Sequence, residues 1–214
     1  MRSKFDQQLA LLNKEMIEMG ALCEEIISDV LRALLQKDNT FLNEIPSLGA
    51  EIDRKEREIE TLCLKLLLQQ QPVAKDLRQI SAALKMITDM ERIGDQAEDI
   101  AEITPFVTNR PPAIDTLLHK MAESSIKMVT KSVDAFVEQN IDLAKKVLID
   151  DDIVDNYFTL IKRELIHEII ECTNDGECYI DLLMISKYFE RIADHATNIA
   201  EWVVFSVTGI HKEG

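Results

Sequence analysis

One stretch of this sequence occurs twice, and the duplication constrains the fold more than any other feature. Residues 89–102 read DMERIGDQAEDIAE and residues 188–201 read YFERIADHATNIAE, so the copies begin 99 residues apart and share eight of fourteen positions. Two unrelated segments seldom keep both charges and apolar positions in the same register. We therefore expect the chain to consist of two homologous halves, each with one signature helix that carries the repeated segment.

Apolar residues in and before each copy recur at helical spacing. They follow steps of 4, 3, 4 and 3 residues, at Met86, Met90, Ile93, Ala97 and Ile100 and again at Ile185, Phe189, Ile192, Ala196 and Ile199. This heptad spacing is typical of a helix that packs against partner helices. Glycine and proline number only 6 and 5, and no alternating β-branched run indicates a strand. The sequence predicts an all-α protein.

Breaks in the apolar pattern divide the chain into six long helices. Residues 104–113 hold three of the five prolines and interrupt the pattern at mid-chain, which predicts one domain over 1–108 and a second over 109–214. The predicted helices cover about 3–36, 47–70, 72–103, 112–138, 141–172 and 178–208. Pro72 is expected in the first turn of the third helix, and Gly176 in a left-handed turn at the break 173–176.

Long helices with short connections pack as antiparallel neighbours. The simplest architecture is therefore two tandem three-helix bundles, placed end to end or side by side.

The charge of the chain excludes several classes of partner. Its formal net charge of −15 repels nucleic-acid phosphates and anionic lipid, so no direct binding to nucleic acid is expected. The N-terminus does not resemble a signal peptide and the apolar runs are too short to span a bilayer. We expect a cytoplasmic protein that meets a membrane only through partners. No C-x-x-C motif is present, and reduced thiols are expected at Cys23, Cys63, Cys172 and Cys178.

Acidic residues form one stripe on each signature helix, roughly opposite the apolar seam. The stripes consist of Glu91, Asp95, Asp99 and Glu102 in the first half and of Glu190, Asp194, Asn198 and Glu201 in the second. Further oxygens come from Asp53 and Glu56 on the second predicted helix and from Asp152 and Asp155 on the fifth. Like charges at i, i+4 destabilise a helix by about 0.2–0.5 kcal/mol per pair.

Two kinds of positive charge could compensate these stripes. Carboxylate oxygens bind hard or borderline metal ions, so both stripes are candidate metal sites. The other source is the set of basic side chains on neighbouring helices, namely Arg54, Lys55, Arg57, Arg92 and Arg191. The spacing of the acidic residues does not distinguish between metal ions and basic side chains as the source of positive charge.

The repeated segments carry a resemblance to a known family. Residues 91–95 (ERIGD) and 190–201 (ERIADHATNIAE) resemble the paired signatures of the PhoU family, the regulatory accessory proteins of bacterial phosphate uptake. Residues 71–78 (QPVAKDLR), residues 151–155 (DDIVD) and the N-terminal Phe5 and Asp6 also match, so the resemblance covers essentially the whole chain. It implies two three-helix bundles with pseudo-two-fold internal symmetry.

The same resemblance implies a function. The acidic stripes would hold metal ions of the iron, zinc, manganese, magnesium or calcium type. The protein would contact the ATPase subunit of a phosphate ABC transporter and a phosphate-sensor histidine kinase, form a homodimer, and negatively regulate both uptake and starvation signalling. The second half departs from the pattern, since Asn198 replaces an acid and Phe158 stands where Glu56 would map. A second metal site that binds weakly or not at all is therefore expected.

Other functional classes compete with this regulator. A di-iron enzyme needs paired Glu-x-x-His motifs that project into the bundle, and the sequence has one, from Glu164 to His167. His167 followed by Glu168 faintly resembles a phosphoacceptor histidine, but no Gly-rich phosphate loop accompanies it. A metal-free helical adaptor is the third alternative. The preferred prediction is a non-enzymatic regulator.

Overall fold

The computed structural model describes residues 2–36, 38–70, 72–107, 110–171 and 176–210. Over these residues the chain forms six α-helices and no β-strand. The helices are α1 (Arg2–Gln36), α2 (Ile45–Gln70), α3 (Ala74–Ile103), α4 (Pro112–Glu138), α5 (Ile141–Glu171) and α6 (Gly176–Thr208). Two short 3-10 helices, Asn39–Asn43 and Thr104–Phe106, precede α2 and follow α3. The prediction of an all-α fold with six long helices is confirmed.

The helices form two three-helix bundles that lie side by side. Helices α1, α2 and α3 pack on one another, as do α4, α5 and α6, while α3 packs along α6 and α1 along α4 between the bundles. One continuous hydrophobic core joins the two bundles, which excludes the end-to-end arrangement. The proposed domain boundary between residues 108 and 109 falls on positions that the structure does not describe and stays a prediction.

The signature helices α3 and α6 run antiparallel across the centre of the molecule. Asp89 on α3 contacts Asn198 on α6, whereas Asp99, further along α3, lies near Arg191, which comes earlier on α6. This opposite order brings the two copies of the repeated segment face to face about a pseudo-two-fold axis.

The repeated apolar seam lies in the core between these helices. All ten of its residues are fully buried, and burial of a large apolar side chain contributes roughly 1.5–3 kcal/mol. Gly94 lies on the same side of α3, where a Cβ atom would be 3.1 Å from Ile52 Cδ1, so α2 approaches α3 closely there. Because the seam fixes the rotation of α3 and α6, the acidic stripes on the opposite side face outward.

Two predicted helix ends are wrong. Helix α3 begins at Ala74 after Val73, which is extended, so Pro72 precedes the helix instead of lying in its first turn. Gly176 is the first residue of α6 and does not have a positive φ, so it does not form the expected left-handed turn. The other residues of that break, 173–175, and Cys172 lie outside the described part of the chain.

Candidate functional site

Carboxylates from α2 and α3 meet on the outer side of the first bundle. The first acidic face consists of Asp53, Glu56, Glu91, Asp95 and Glu98. Burial raises the pKa of Glu91, and the charges of Asp95 and Glu56 raise it further. Burial and then the charge of Asp53 raise the pKa of Asp95 in the same way. The structure thus brings together four residues that the sequence had placed on two separate helices.

Glu98 belongs to this face, although the predicted stripe omits it. Its side chain lies over Gly49 on α2, where a Cβ atom would stand only 1.8 Å from Glu98 Oε1. Burial raises the pKa of Glu98, followed by the charges of Asp95 and Asp53. Any larger residue at position 49 would displace this carboxylate. The sequence signal for this contact is Gly49. A glycine on α2 indicates space for a carboxylate only when the packing of α2 against α3 is known.

The last two acids of the first stripe lie beside the face and not within it. Burial and the charge of Glu102 raise the pKa of Asp99, while Arg191 of α6 lowers it. Asp99 therefore lies near a basic residue of the second bundle. Glu102 is exposed and, with Glu98, lines a surface groove of about 370 Å³. The floor of that groove is apolar and includes Ile45 and Ala101.

Positive charge around the first acidic face is weak. Arg57 lies 3.8 Å from Asp53, and both side chains are well exposed, a setting in which an ion pair contributes little. Arg92 lowers the pKa of Glu91 and Asp95, but less than burial raises it.

Two further basic residues expected to compensate the stripes are engaged elsewhere. Arg54 binds Glu51 at 2.9 Å. The ammonium of Lys55 lies 2.5 Å from Glu15 and also contacts Glu18, which ties α2 to α1. The carboxylates of the first acidic face therefore repel one another with little compensation.

A comparable set of acids lies on the second bundle. The second acidic face consists of Asp151, Asp152, Asp155, Glu190 and Asp194, from α5 and α6. Burial and then the charges of Asp155 and Asp194 raise the pKa of Asp151 to about 6. Asp151 was not among the predicted residues. It stands at the position that corresponds to Gly49, if Asp53 is aligned with Asp155, so a carboxylate from α5 replaces the one that Glu98 supplies from α3.

The second acidic face differs from the first because it contains a lysine. Lys187 Nζ is in direct contact with Glu190 Oε2 and lies 5.3 Å from the centre of the Phe158 ring. Burial raises the pKa of Asp194, but Lys187 exerts the largest opposing effect. Lys187 precedes Glu190 by one turn, a spacing typical of a helical ion pair, and this was the sequence signal for it.

Asn198, predicted as a ligand in the second stripe, points toward α3. Its Nδ2 donates a hydrogen bond of 3.1 Å to Asp89 Oδ1, and His195 Nδ1 lies 2.9 Å from the same oxygen. Asp89 is buried, so this polar cluster joins the two bundles. Glu201 is half-buried two turns beyond Asp194 on α6.

The donor chemistry of both faces is that of oxygen ligands. Carboxylates suit hard cations such as Mg²⁺, Ca²⁺ or Mn²⁺ and also basic protein surfaces. The first acidic face fits a cation in donor type and charge. The second fits less well, because Glu190 is paired with Lys187. As the side chains lie, no three His, Cys, Asp or Glu residues in the described ranges are grouped closely enough to hold a metal ion.

The geometry is unfavourable to the di-iron alternative. Glu164 and His167 are exposed on the outside of α5, where His167 Nε2 lies 3.5 Å from Glu171. A di-iron site needs such side chains to project into the bundle. Within the described residues, every helix is too polar or too short to cross a lipid bilayer.

Comparison with known proteins identifies close relatives along the whole chain. A family model for the PhoU domain matches residues 16–104 and again residues 118–203. The phosphate-specific transport system accessory protein PhoU homologue of Clostridium acetobutylicum is 35% identical over 97% of this chain and 96% of its own length. The homologue from Synechocystis is 34% identical over 97% of this chain and 93% of its own length.

Solved structures agree with this match. The crystal structure of PhoU from Pseudomonas aeruginosa has a TM-score of 0.90 and 30% identity, covering 96% of this chain and all of that one (100%). The phosphate transport system regulatory protein PhoU from Streptococcus pneumoniae has a TM-score of 0.88 and 28% identity, covering 98% of this chain and 99% of that one.

Proposed function

We propose, from the premise that this chain belongs to the PhoU family, that it negatively regulates phosphate uptake and phosphate-starvation signalling through contacts with protein partners. Membership of this family makes the chain an accessory protein of phosphate transport and not an enzyme, as the sequence predicted. The regulatory direction and the partners below are proposals.

The proposed partners are the ATPase subunit of a phosphate ABC transporter and a phosphate-sensor histidine kinase. We also propose that the protein works in the cytoplasm as a homodimer and reaches the membrane only through these partners. The net charge of −15 supports contacts with basic protein surfaces and opposes direct binding to nucleic acid.

One observation carries this proposal: the two signature helices pack together at the centre of the molecule, with an acidic face beside each of them. The apolar seam is fully buried, so it cannot bind a partner, whereas Asp95 and Asp194 are exposed at equivalent points. Packing of the helices does not require that both halves carry acidic residues at equivalent surface positions. We therefore assign the acidic faces to interaction.

We further propose that metal ions bind at the acidic faces. Asp53, Glu91 and Asp95 would supply the ligands at the first face, because, besides burial, their like charges raise the pKa of Glu91 and Asp95 across two packed helices. Their side chains would have to move closer together to hold one ion. A bound cation would neutralise the repulsion between these charges. Oxygen ligands favour Mg²⁺, Ca²⁺ or Mn²⁺ over softer ions, although iron and zinc remain within the proposal.

The partner proposal is tested by affinity purification of the tagged full chain from cells grown in high and in low phosphate. Recovery of the transporter ATPase or the sensor kinase, identified by mass spectrometry, is expected, with a difference between the two phosphate conditions. The double variant Glu91→Gln/Asp95→Asn should recover less of at least one partner than the control Asp134→Asn, which changes an exposed acid on α4. Absence of both partners in both conditions would refute the proposal.

The metal proposal has a separate test. Elemental analysis of protein purified without chelators should find bound metal that decreases in Asp95→Ala. If partners are recovered while metal is absent, the protein is the metal-free adaptor considered above.

A further inference from the structure

The internal repeat allows each acidic face to serve as a control for the other. Along the signature helices, Thr88 corresponds to Lys187 and Glu91 to Glu190 at the 99-residue spacing. Along α2 and α5, alignment of Asp53 with Asp155 places Glu56 opposite Phe158. The two halves therefore differ at a pair of neighbouring positions, a threonine and a glutamate in one and a lysine and a phenylalanine in the other.

In the first half, these two positions are joined by a neutral hydrogen-bond donor. Thr88 Oγ1 donates to Glu56 Oε1 at 3.3 Å. Glu56 keeps its negative charge on the face, and burial followed by the charges of Glu60 and Asp53 raises its pKa. No positive charge enters the first acidic face at this point.

In the second half, the same two positions hold a lysine and a phenylalanine, so a positive charge lies at the acidic face. The ammonium of Lys187 lies against Phe158 and contacts Glu190 Oε2. The Glu190 side chain is only 14% exposed, and its Oε2 is shielded from solvent and accepts no hydrogen bond from another described side chain. The aromatic ring of Phe158 also stabilises the ammonium, which lies 5.3 Å from its centre. Contacts with both Glu190 and Phe158 thus keep the Lys187 ammonium at the second acidic face.

The arginine on the first face does not play an equivalent role. Arg57 lies 3.8 Å from Asp53 with its side chain 65% exposed, so water and salt screen the pair. It does not contact the signature glutamate Glu91.

We propose that Lys187 is a built-in counter-ion that takes the place of an external cation at the second acidic face, so that divalent cations bind the first face preferentially. The inference deepens the metal proposal above and rests on it. A divalent ion at the second face would have to displace the Lys187 ammonium from Glu190 and then lie beside a like charge. The first face imposes no such requirement, because Thr88 is neutral.

The test is Mn²⁺ binding to the full chain, measured by electron paramagnetic resonance of the free ion in a titration. The wild type should show tight binding that Glu91→Gln weakens at least tenfold. Lys187→Thr, which installs the first-half residue, should add a second class of sites with an affinity within about tenfold of the first. Lys187→Arg keeps the charge and should add none.

A matched control removes a lysine elsewhere. Lys127→Thr also deletes one positive charge, from an exposed pair with Glu123 on α4, and should leave the number of Mn²⁺ sites unchanged. A gain in this variant equal to that of Lys187→Thr would mean that net charge alone governs binding, which would overturn the inference. Circular dichroism and the urea midpoint of each variant verify that it is folded.

Two further outcomes would overturn the role of Lys187. One is a folded Lys187→Thr variant without any added site, and the other is tight binding in the wild type that survives Glu91→Gln but is lost in Asp194→Asn. If the wild type binds no Mn²⁺ at all, the metal proposal fails for Mn²⁺. In that case a site gained in Lys187→Thr and not in Lys187→Arg would still support the inference, so the two failures are distinguishable.

Discussion

Asp89 provides the sharpest test of how the two bundles are held together. It is only 7% exposed, and its Oδ1 receives the Asn198 amide at 3.1 Å and lies 2.9 Å from His195 Nδ1. Both partners belong to α6, while Asp89 belongs to α3. We predict that Asp89→Ala destabilises the whole protein and not only α3, because it removes a polar link between bundles that share one core.

The magnitude follows from the number of bonds and from the burial. A hydrogen bond to a charged group contributes about 1.5–3 kcal/mol, and a buried partner left without a bond costs about 1–3 kcal/mol. Removal of the carboxylate also relieves the cost of burying its charge, which offsets part of the loss. We therefore expect Asp89→Ala to lower the free energy of unfolding by about 2–4 kcal/mol. Asp89→Asn retains an acceptor oxygen and should cost less.

The assay is urea denaturation at pH 7, followed by far-ultraviolet circular dichroism. Asp134→Ala, an exposed aspartate on α4, serves as the control and should change the free energy of unfolding by no more than about 0.5 kcal/mol. In a double-mutant cycle, His195→Ala should cost much less in the Asp89→Ala background than in the wild type. A loss below about 1 kcal/mol for Asp89→Ala, or strict additivity with His195→Ala, would refute the argument, because either result means that the buried cluster contributes no more than a solvated pair.

Three further predictions follow from burial and charge. Phe189→Ala, at a fully buried seam position, should lower the free energy of unfolding by about 3–5 kcal/mol, whereas Phe106→Ala, at a side chain 71% exposed, should leave it nearly unchanged in the same urea assay. The raised pKa of Asp151, about 6, means that its contribution to stability is present at low pH and lost as pH rises through 6; Asp151→Asn should therefore be more stable than the wild type at pH 7, with an advantage that shrinks toward pH 4. Lys55→Ala should lower the thermal midpoint more than Arg54→Ala, because Lys55 is 12% exposed between two carboxylates while the Arg54 pair is open to solvent.

Local signals sufficed for most of the helix positions. The limits of α4 were predicted correctly because proline precedes it and Asn140 marks the break that follows it. In the structure the helix ends where Gln139 adopts a left-handed conformation with φ of 54°. Asn140 then caps α5, its Oδ1 accepting the Leu143 amide at 3.0 Å. The start of α3 was missed because Val73 stays extended and caps the helix through its carbonyl, which accepts the Leu77 amide at 2.9 Å. Nothing in the residue types distinguishes that start from one at Pro72.

The sequence by itself determined the six helices, the duplication and the outward direction of the acidic stripes. These properties depend on periodicity along one helix, since burial of the heptad seam fixes which side of that helix faces solvent. The match of both repeats to one family likewise needs only the order of residues, and it was confirmed along the whole chain.

Only the tertiary structure decided which charges meet. Glu98 joins the first acidic face because Gly49 on another helix leaves room for it, and Lys187 neutralises Glu190 beside a phenylalanine contributed by α5. Asn198, which stays a predicted metal ligand, also donates its amide to Asp89 across the bundle interface. The strength of an electrostatic interaction depends on the distance between the two charges and on their burial. Their partners therefore come from packing between helices, which the spacing of residues along one helix does not specify.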